Sequence, residues 1–407
     1  MEIETIKSDV GMSWKSVKIP EVLFFQEGPG VRNTQFTTSG VKLLNVGNIN
    51  FGDLNLDATK VHISEEEAYG KYSHFLIDEG DLLIASSGIV VDNFHNKITW
   101  AKKEHLPLCL NTSTIRFRTL DHNILDIKYF SYFLKTRLFA DQLSKLITGS
   151  AQLNFGPSHL KQISLPLPPL ATQKRIAEIL DAADALRRKD QELLKKYDEL
   201  AQAIFIDMFG DPELNEKGWR KRKIDEVLIF PLGLVDPKSK PYAEMLHVGG
   251  DNIESGTGRI FKLMKASELN LKSGKFHFTD KHILYNKIRP RLNKVACPDF
   301  EGICSADMYP LLPLGELVKK EYLYFILRSK LFLDFAENQS RRANIPKINM
   351  KEMADFEFPV PDIENQNQFI ANIRKVNALK IHQFELMDYS SSLFNTLIQK
   401  AFKGELV

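Results

Sequence analysis

Two stretches of the chain, 170–209 and 363–402, run for 40 residues each without a proline or a glycine. In the first, the positions spaced alternately four and three apart are Ile179, Ala183, Leu186, Asp190, Leu193, Tyr197, Leu200 and Ile204. The second stretch, 193 residues on, offers Asn372, Val376, Leu379, Gln383, Leu386, Ser390, Leu393 and Leu397. An apolar stripe repeating every 3.5 residues is what a coiled-coil seam requires, and one polar residue inside it fixes register at some cost in stability. Both stripes carry that interruption at the same place, Asp190 and Gln383. The pattern predicts two helices, each ~60 Å long at ~1.5 Å per residue, packed as an antiparallel pair. The competing expectation is that each helix packs only on its own globular half. Prolines precede both stretches, and Gly210-Asp-Pro212 and Gly404 follow as stop signals.

Before each long helix lies roughly 150 residues of mixed pattern. Strand-like runs occur at 42–46, 81–85 and 114–117, and helical periodicity comes late, at 127–146 and 321–337. The two halves repeat each other. Trp14, Ile19, Glu21, Val22 and Leu23 return 205 residues on as Trp219, Ile224, Glu226, Val227 and Leu228. Leu134-Lys-Thr-Arg-Leu-Phe139 returns 193 residues on as Leu327-Arg-Ser-Lys-Leu-Phe332, and Pro166-Leu-Pro168 with Gln173 as Pro359-Val-Pro361 with Gln366. Three ordered matches argue for duplication. The expected fold is mixed α/β: two globular domains joined by two long antiparallel coiled-coil helices in a pseudo-twofold tandem repeat. Its boundaries fall at 1–165, 166–212, 213–358 and 359–407.

Length and composition fit this picture: 407 residues suggest two to three domains at ~150 residues each. With 43% hydrophobic and 26% charged residues the chain can build a real core. The net charge of +2 gives no overall basic field, so any nucleic-acid contact needs locally concentrated charge. Three scattered cysteines (Cys109, Cys297, Cys304) make no disulfide framework and fit a reducing cytoplasm. Residues 1–10 lack a signal-peptide pattern and no apolar run approaches 18 residues, so secreted and membrane classes are not expected.

The halves differ in their polar loops. After 81–84 the first half continues Ser86-Ser-Gly-Ile-Val-Val-Asp-Asn-Phe-His-Asn-Lys97; after 282–285 the second continues Asn286-Lys-Ile-Arg-Pro-Arg-Leu-Asn-Lys294. From 281 to 294 there are five Lys or Arg and no acid. Likewise Thr148-Gly-Ser-Ala-Gln-Leu-Asn154 faces Ser340-Arg-Arg-Ala-Asn-Ile-Pro-Lys347. Such side chains bond phosphates and base edges, although a basic run in isolation is commonly a solvated face. The candidate DNA contacts are Ser86, Asn93, His95, Lys97, Gln152 and Asn154 in the first half. In the second they are Lys287, Arg289, Arg291, Asn293, Lys294, Arg341, Arg342, Asn344 and Lys347. Phosphate-cradling, dinucleotide, zinc-ligand, H-E-x-x-H and G-x-S-x-G motifs are all missing. Pro298-Asp-Phe-Glu301 and Pro361-Asp-Ile-Glu364 resemble the start of a nuclease pattern without its lysine. Neither a catalytic group nor a metal or cofactor site is expected.

Leu165-Pro-Leu-Pro-Pro-Leu-Ala-Thr-Gln-Lys-Arg-Ile-Ala-Glu-Ile-Leu180, Phe205-Ile-Asp-Met-Phe-Gly-Asp-Pro212 and Leu397-Ile-Gln-Lys-Ala-Phe-Lys-Gly-Glu-Leu406 closely resemble the specificity subunits of type I restriction-modification systems. The resemblance extends over essentially the whole chain. The second proline run departs from the usual form, reading Pro-Val-Pro-Asp-Ile-Glu-Asn-Gln in place of Pro-Pro followed by Glu-Gln. The resemblance implies a non-catalytic reader of double-stranded DNA whose two target-recognition domains each take half of a split, asymmetric target. It also implies a helix pair that spaces the halves, two methyltransferase subunits with adenine-N6 activity, restriction subunits as further partners, and no cofactor. A ~60 Å spacer bounds the half-site separation at about 18 base pairs of ~3.4 Å, with about one helical turn the expected value. Binding is expected to weaken steeply with salt. Two alternatives are the recognition component of a combined methylase-nuclease and a coiled-coil adaptor that binds no DNA.

Overall fold

In a computed structural model the described residues are 5–7, 13–50, 52–88, 91–147, 154–340 and 345–407. The proline-free stretches are helices, Leu170–Phe209 of 40 residues and Ile363–Lys403 of 41. The chain forms two compact units: 1–189 with 387–407, and 190–386. Their limits cut both helices, so each unit contains a segment of each.

The first unit is built on a four-stranded antiparallel sheet in the order Leu23–Glu27, Thr114–Thr119, Leu82–Ala85, Ile98–Trp100. Leu82–Ala85 is buried throughout, which is why it reads as a continuous apolar run. A smaller sheet pairs Val41–Leu44 in parallel with Leu108–Leu110 and antiparallel with His62–Ile63. The second unit repeats this scheme. One sheet runs Leu228–Ile229, Met308–Pro313, Ile283–Asn286, Val295–Ala296, and in the other Leu246–Val248 lies parallel to Gly302–Cys304. The helical stretch at 127–146 is two helices, Ile127–Phe133 and Arg137–Leu146, because the Thr136 side chain accepts from the Phe139 N–H and starts the second. Its repeat splits at Ser329 into Lys320–Arg328 and Lys330–Ser340. Among the described residues no helix is long and apolar enough to cross a membrane.

The repeated Pro-x-Pro…Gln motif is a joint. Gln173 is fully buried; its amide donates to the carbonyls of Ile124 (2.9 Å) and Pro168 (2.8 Å) and accepts from the Asp126 N–H at 2.9 Å. Gln366, equally buried, bonds Leu317, Pro361 and Lys319, the same three positions 193 residues on. Tyr129 and Tyr322 donate to the carbonyls of Pro166 (2.9 Å) and Pro359 (2.7 Å). Each long helix is thereby fastened at its start to the strands and helices before it. Gln173→Leu leaves the buried Pro168 carbonyl and the partly exposed Ile124 carbonyl and Asp126 N–H without these partners, and a loss of about 2 kcal/mol is expected. A urea denaturation of the full chain reads it, and an unmoved midpoint would show that the joint is not needed for stability.

Within each unit the two long helices pack antiparallel. In the first, Ile176, Leu180 and Ala183 share a core with Phe394, Ile398 and Phe402; in the second, Ala201, Phe205 and Phe209 share one with Phe369, Ile373 and Val376. The polar interruptions meet: the buried Gln383 amide donates to Asp190 Oδ1 at 2.8 Å, a bond between equivalent positions of the two halves.

The seam runs differently from the expected one. Ala183 and Val376 are buried in it, while Ile179, Ile204, Leu393 and Leu397 are half-buried along its edge. Leu186, Leu193, Leu200, Leu379 and Leu386 are 46, 41, 46, 50 and 42% exposed. The second set of seam positions lies one residue later: Leu180, Arg187, Leu194 and Ala201, and Ile373, Lys380, Met387 and Phe394. A heptad pattern with leucines on both sides of one shared line has two possible phases. The tertiary structure takes the one containing Arg187 and Lys380, whose cationic heads lie over the rings of Phe394 (4.9 Å) and Phe384 (6.0 Å).

Candidate nucleic-acid interface

Strand pairing gathers the divergent loops at one end of each main sheet. In the first unit Ile115 lies opposite both Glu27 and Ile84, and Thr114 opposite Ala85. The exits of two strands and the turn entering the third therefore share an end. The Gly28 N–H donates to the Thr114 carbonyl at 3.0 Å, and the Ser86 N–H to that of Ser113 at 2.8 Å. A third segment docks here: Phe155 N–H donates to the Ser86 carbonyl (2.9 Å), and Gly88 N–H to Asn154 Oδ1 (2.9 Å).

The second unit repeats the frame with different side chains. Lys287 N–H donates to the Asp307 carbonyl at 3.1 Å, and Ile348 N–H to the Lys287 carbonyl at 3.2 Å. By these bonds Lys287 occupies the place of Ser86, and Lys347 that of Asn154. Equivalence extends to Lys97 and Lys294. Lys97 Nζ donates to the Ile49 carbonyl (2.8 Å) and Asn50 Oδ1 (2.6 Å), and Lys294 Nζ to the Gly250 carbonyl (2.6 Å). Each ties the sheet-end loop to a tight turn of the smaller sheet. In both turns an asparagine side chain, Asn48 or Asn252, accepts a backbone N–H at 2.9 Å. Burial pulls the Lys97 ammonium below its ordinary range.

The candidate residues thus divide. Ser86 is buried at the sheet end. Lys97 and Lys294 bond backbone carbonyls, as does half-buried Lys287, whose ammonium reaches the Ala306 carbonyl at 2.8 Å and Asp307 at 3.7 Å. Asn293, at φ 48°, donates to the Arg328 carbonyl at 3.4 Å. Arg291 is exposed but paired with Glu337. His95 is exposed beside a cavity of about 210 Å³ that Lys135 and Arg137 also line. Asn154, Arg289 and Lys347 are exposed at the sheet ends. Gln152, Arg341, Arg342, Asn344 and the Asn93 side chain lie outside the described residues. Nothing in the sequence singles out Thr112, which is exposed in the turn between Asn111 and Thr114 at the first unit's loop end. Only the pairing register puts it there.

Of the cysteines, Cys109 is buried and its thiol is pushed up to about 12 by burial, the state of a core residue. Among the described residues no group of three or more His, Cys, Asp or Glu is placed to hold a metal ion.

The family model for the type I restriction modification DNA specificity domain matches twice, over residues 12–196 and 216–384. The chain belongs to this family. Each match takes in one sheet-end frame and a long-helix segment. The chain is 29% identical over 212 residues to the EcoDI specificity subunit of Escherichia coli, covering 51% of this chain and 47% of that one. It is 31% identical over 196 residues to the MjaVIII specificity subunit of Methanocaldococcus jannaschii, covering 47% and 45%. These matches span about half the length of the relatives. A type I restriction-modification S subunit from M. genitalium, solved by crystallography, superposes with a TM-score of 0.54 at 16% identity, covering 98% of both chains. That likeness is one of fold.

Proposed function

We propose that this specificity-family chain is the DNA-reading subunit of a type I restriction-modification complex. In this reading 1–165 and 213–358 are target-recognition domains, and 166–212 and 359–407 are spacers. Each sheet end enters the major groove over one half of a bipartite, asymmetric target. The chain itself is non-catalytic and cytoplasmic, and two methyltransferase subunits, with restriction subunits as further partners, supply the chemistry. The observation that carries this is one backbone frame built twice with different polar groups, Ser86 and Asn154 against Lys287 and Lys347. A shared frame with unlike side chains suits reading two unlike half-targets. Duplication also offers two equivalent docking faces to two identical partners.

For site residues the reading favours Asn154, Arg289 and Lys347 as contacts, with His95 and Arg291 at the periphery. Lys97, Lys287 and Lys294 serve as supports of the loops. Modified-base sequencing of the host with and without this gene tests the function. Loss of one bipartite, asymmetric methylated motif on deletion is the expected result. An unchanged methylome, with a partner methyltransferase demonstrably expressed, would instead favour an adaptor that bridges proteins without DNA.

A further inference from the structure

Four cations lie in the loop that leaves the strand Ile283–Asn286, and three of them are engaged by the protein. Lys287 bonds the Ala306 carbonyl, Arg291 pairs with Glu337, and Lys294 bonds the Gly250 carbonyl. Among the described residues of this loop, Arg289 is the one cation with no hydrogen bond or ion pair for its side chain, and it is exposed. Its backbone is held in place. Arg289 N–H donates to the Pro346 carbonyl at 2.7 Å, its carbonyl accepts from Leu292 N–H at 2.9 Å, and Pro290 after it is buried. The same ladder places Ile288 opposite Lys347, a second exposed cation without a partner among the described residues.

Arg289 sits at φ 50°, ψ 69°, in the left-handed region and directly before a proline. That conformation is sparsely populated for a residue with a side chain, and the position before proline favours extended backbone instead. Strain of this kind persists only where the surroundings impose it, and it clusters at functional sites. A glycine would meet the backbone requirement better, so the guanidinium is present despite a local cost.

We infer that Arg289 reads a guanine in the half-target taken by the second unit, with Lys347 beside it on a phosphate, while Lys287, Arg291 and Lys294 hold the loop. A guanidinium is the side chain that bonds guanine O6 and N7 together, whereas an ammonium is a point charge suited to phosphate. The first unit has Asn154 where the second has Lys347, so the recognition proposed here belongs to the second unit's frame alone. The inference rests on the DNA-reading function proposed above.

The test uses the full chain assembled with its methyltransferase partner in a host free of other methylases. Arg289→Lys keeps the charge and the backbone strain but cannot make the paired bonds. Methylation is expected to continue while the preference for guanine at one position falls by about tenfold or more, with the dependence of binding on salt unchanged. Arg289→Gly is expected to relax the same position, to melt no lower than wild type, and to change the slope of log affinity against log salt by less than loss of a phosphate contact does. Lys347→Gln is expected to reduce that slope by about 0.9 and leave the motif intact. Unchanged base preference in Arg289→Lys overturns the inference, whether or not Arg289→Gly folds. If the wild-type assembly methylates no bipartite motif, the DNA-reading function itself fails, a result distinct from an intact motif indifferent to Arg289.

Discussion

If the chain assembles with methyltransferase subunits as proposed, glutamate at Leu193 or Leu379 is expected to cost it those partners while leaving its folding nearly untouched. Both leucines lie in the middle of long helices and are 41% and 50% exposed, in company with Leu186, Leu200 and Leu386. Single exposed leucines need no explanation, but exposed leucines recurring along a long helix are the kind of apolar surface that marks a protein interface. The helix seam does not need them, because Leu180, Leu194, Ile373 and Phe394 fill it. A charge at an exposed helix position shifts stability by roughly 0.5 kcal/mol, so the melting temperature should barely move. At the centre of an interface, loss of an apolar anchor costs about 2 kcal/mol or more, about thirtyfold in affinity. Co-purification and a titration with the methyltransferase subunit read the difference. Gln202→Glu on the same helix is the control for charge alone. Retention of the partner at wild-type affinity by both leucine variants would place the docking surface elsewhere.

The second large effect is expected at the buried contact between Asp190 and Gln383. Replacing Asp190 by leucine leaves the Gln383 amide buried without its acceptor, and Gln383→Leu leaves a carboxylate without its donor. Each single change should cost about 1–3 kcal/mol, the carboxylate case being the costlier. The double leucine variant removes both polar groups and should recover most of the loss or exceed wild type. Equilibrium denaturation of the four proteins gives the coupling, expected at roughly 1 kcal/mol or more. Additive losses would mean that the two side chains contribute separately and that their 2.8 Å bond carries no weight.

The same pair shows how far sequence pattern reaches. Two forty-residue runs without proline or glycine could hardly be anything but long helices, and the polar interruption falling at equivalent points in both marks where they meet. The phase of the seam was not available in the same way. Leucine is apolar on either side of a heptad line, and the true line admits Arg187 and Lys380, which no hydropathy pattern would choose. Those cations are tolerated because Arg187 lies over the Phe394 ring and Lys380 pairs with Asp198 at 2.6 Å, contacts from one helix to the other that exist only after the two have paired.

The candidate interface divides along similar lines. Loop composition by itself located the segments that differ between the halves, 86–97 against 286–294 and 148–154 against 340–347, because unlike polar chemistry on a repeated frame is visible as text. It gave every cation in those segments the same standing. The tertiary structure separates them by what each can reach. Lys97 and Lys294 find backbone carbonyls, Arg291 finds Glu337, and Arg289 finds nothing among the described residues. A cation's availability depends on acceptors tens of residues away in sequence, and strand register decides which of them are near. So the sequence determined the duplication, the long helices, their polar midpoint and the places where the halves diverge, since each is local or periodic. Folding alone decided which leucines face water, which cations the described residues leave without a partner, and that Thr112 stands at the first unit's loop end, since each depends on pairing between distant segments.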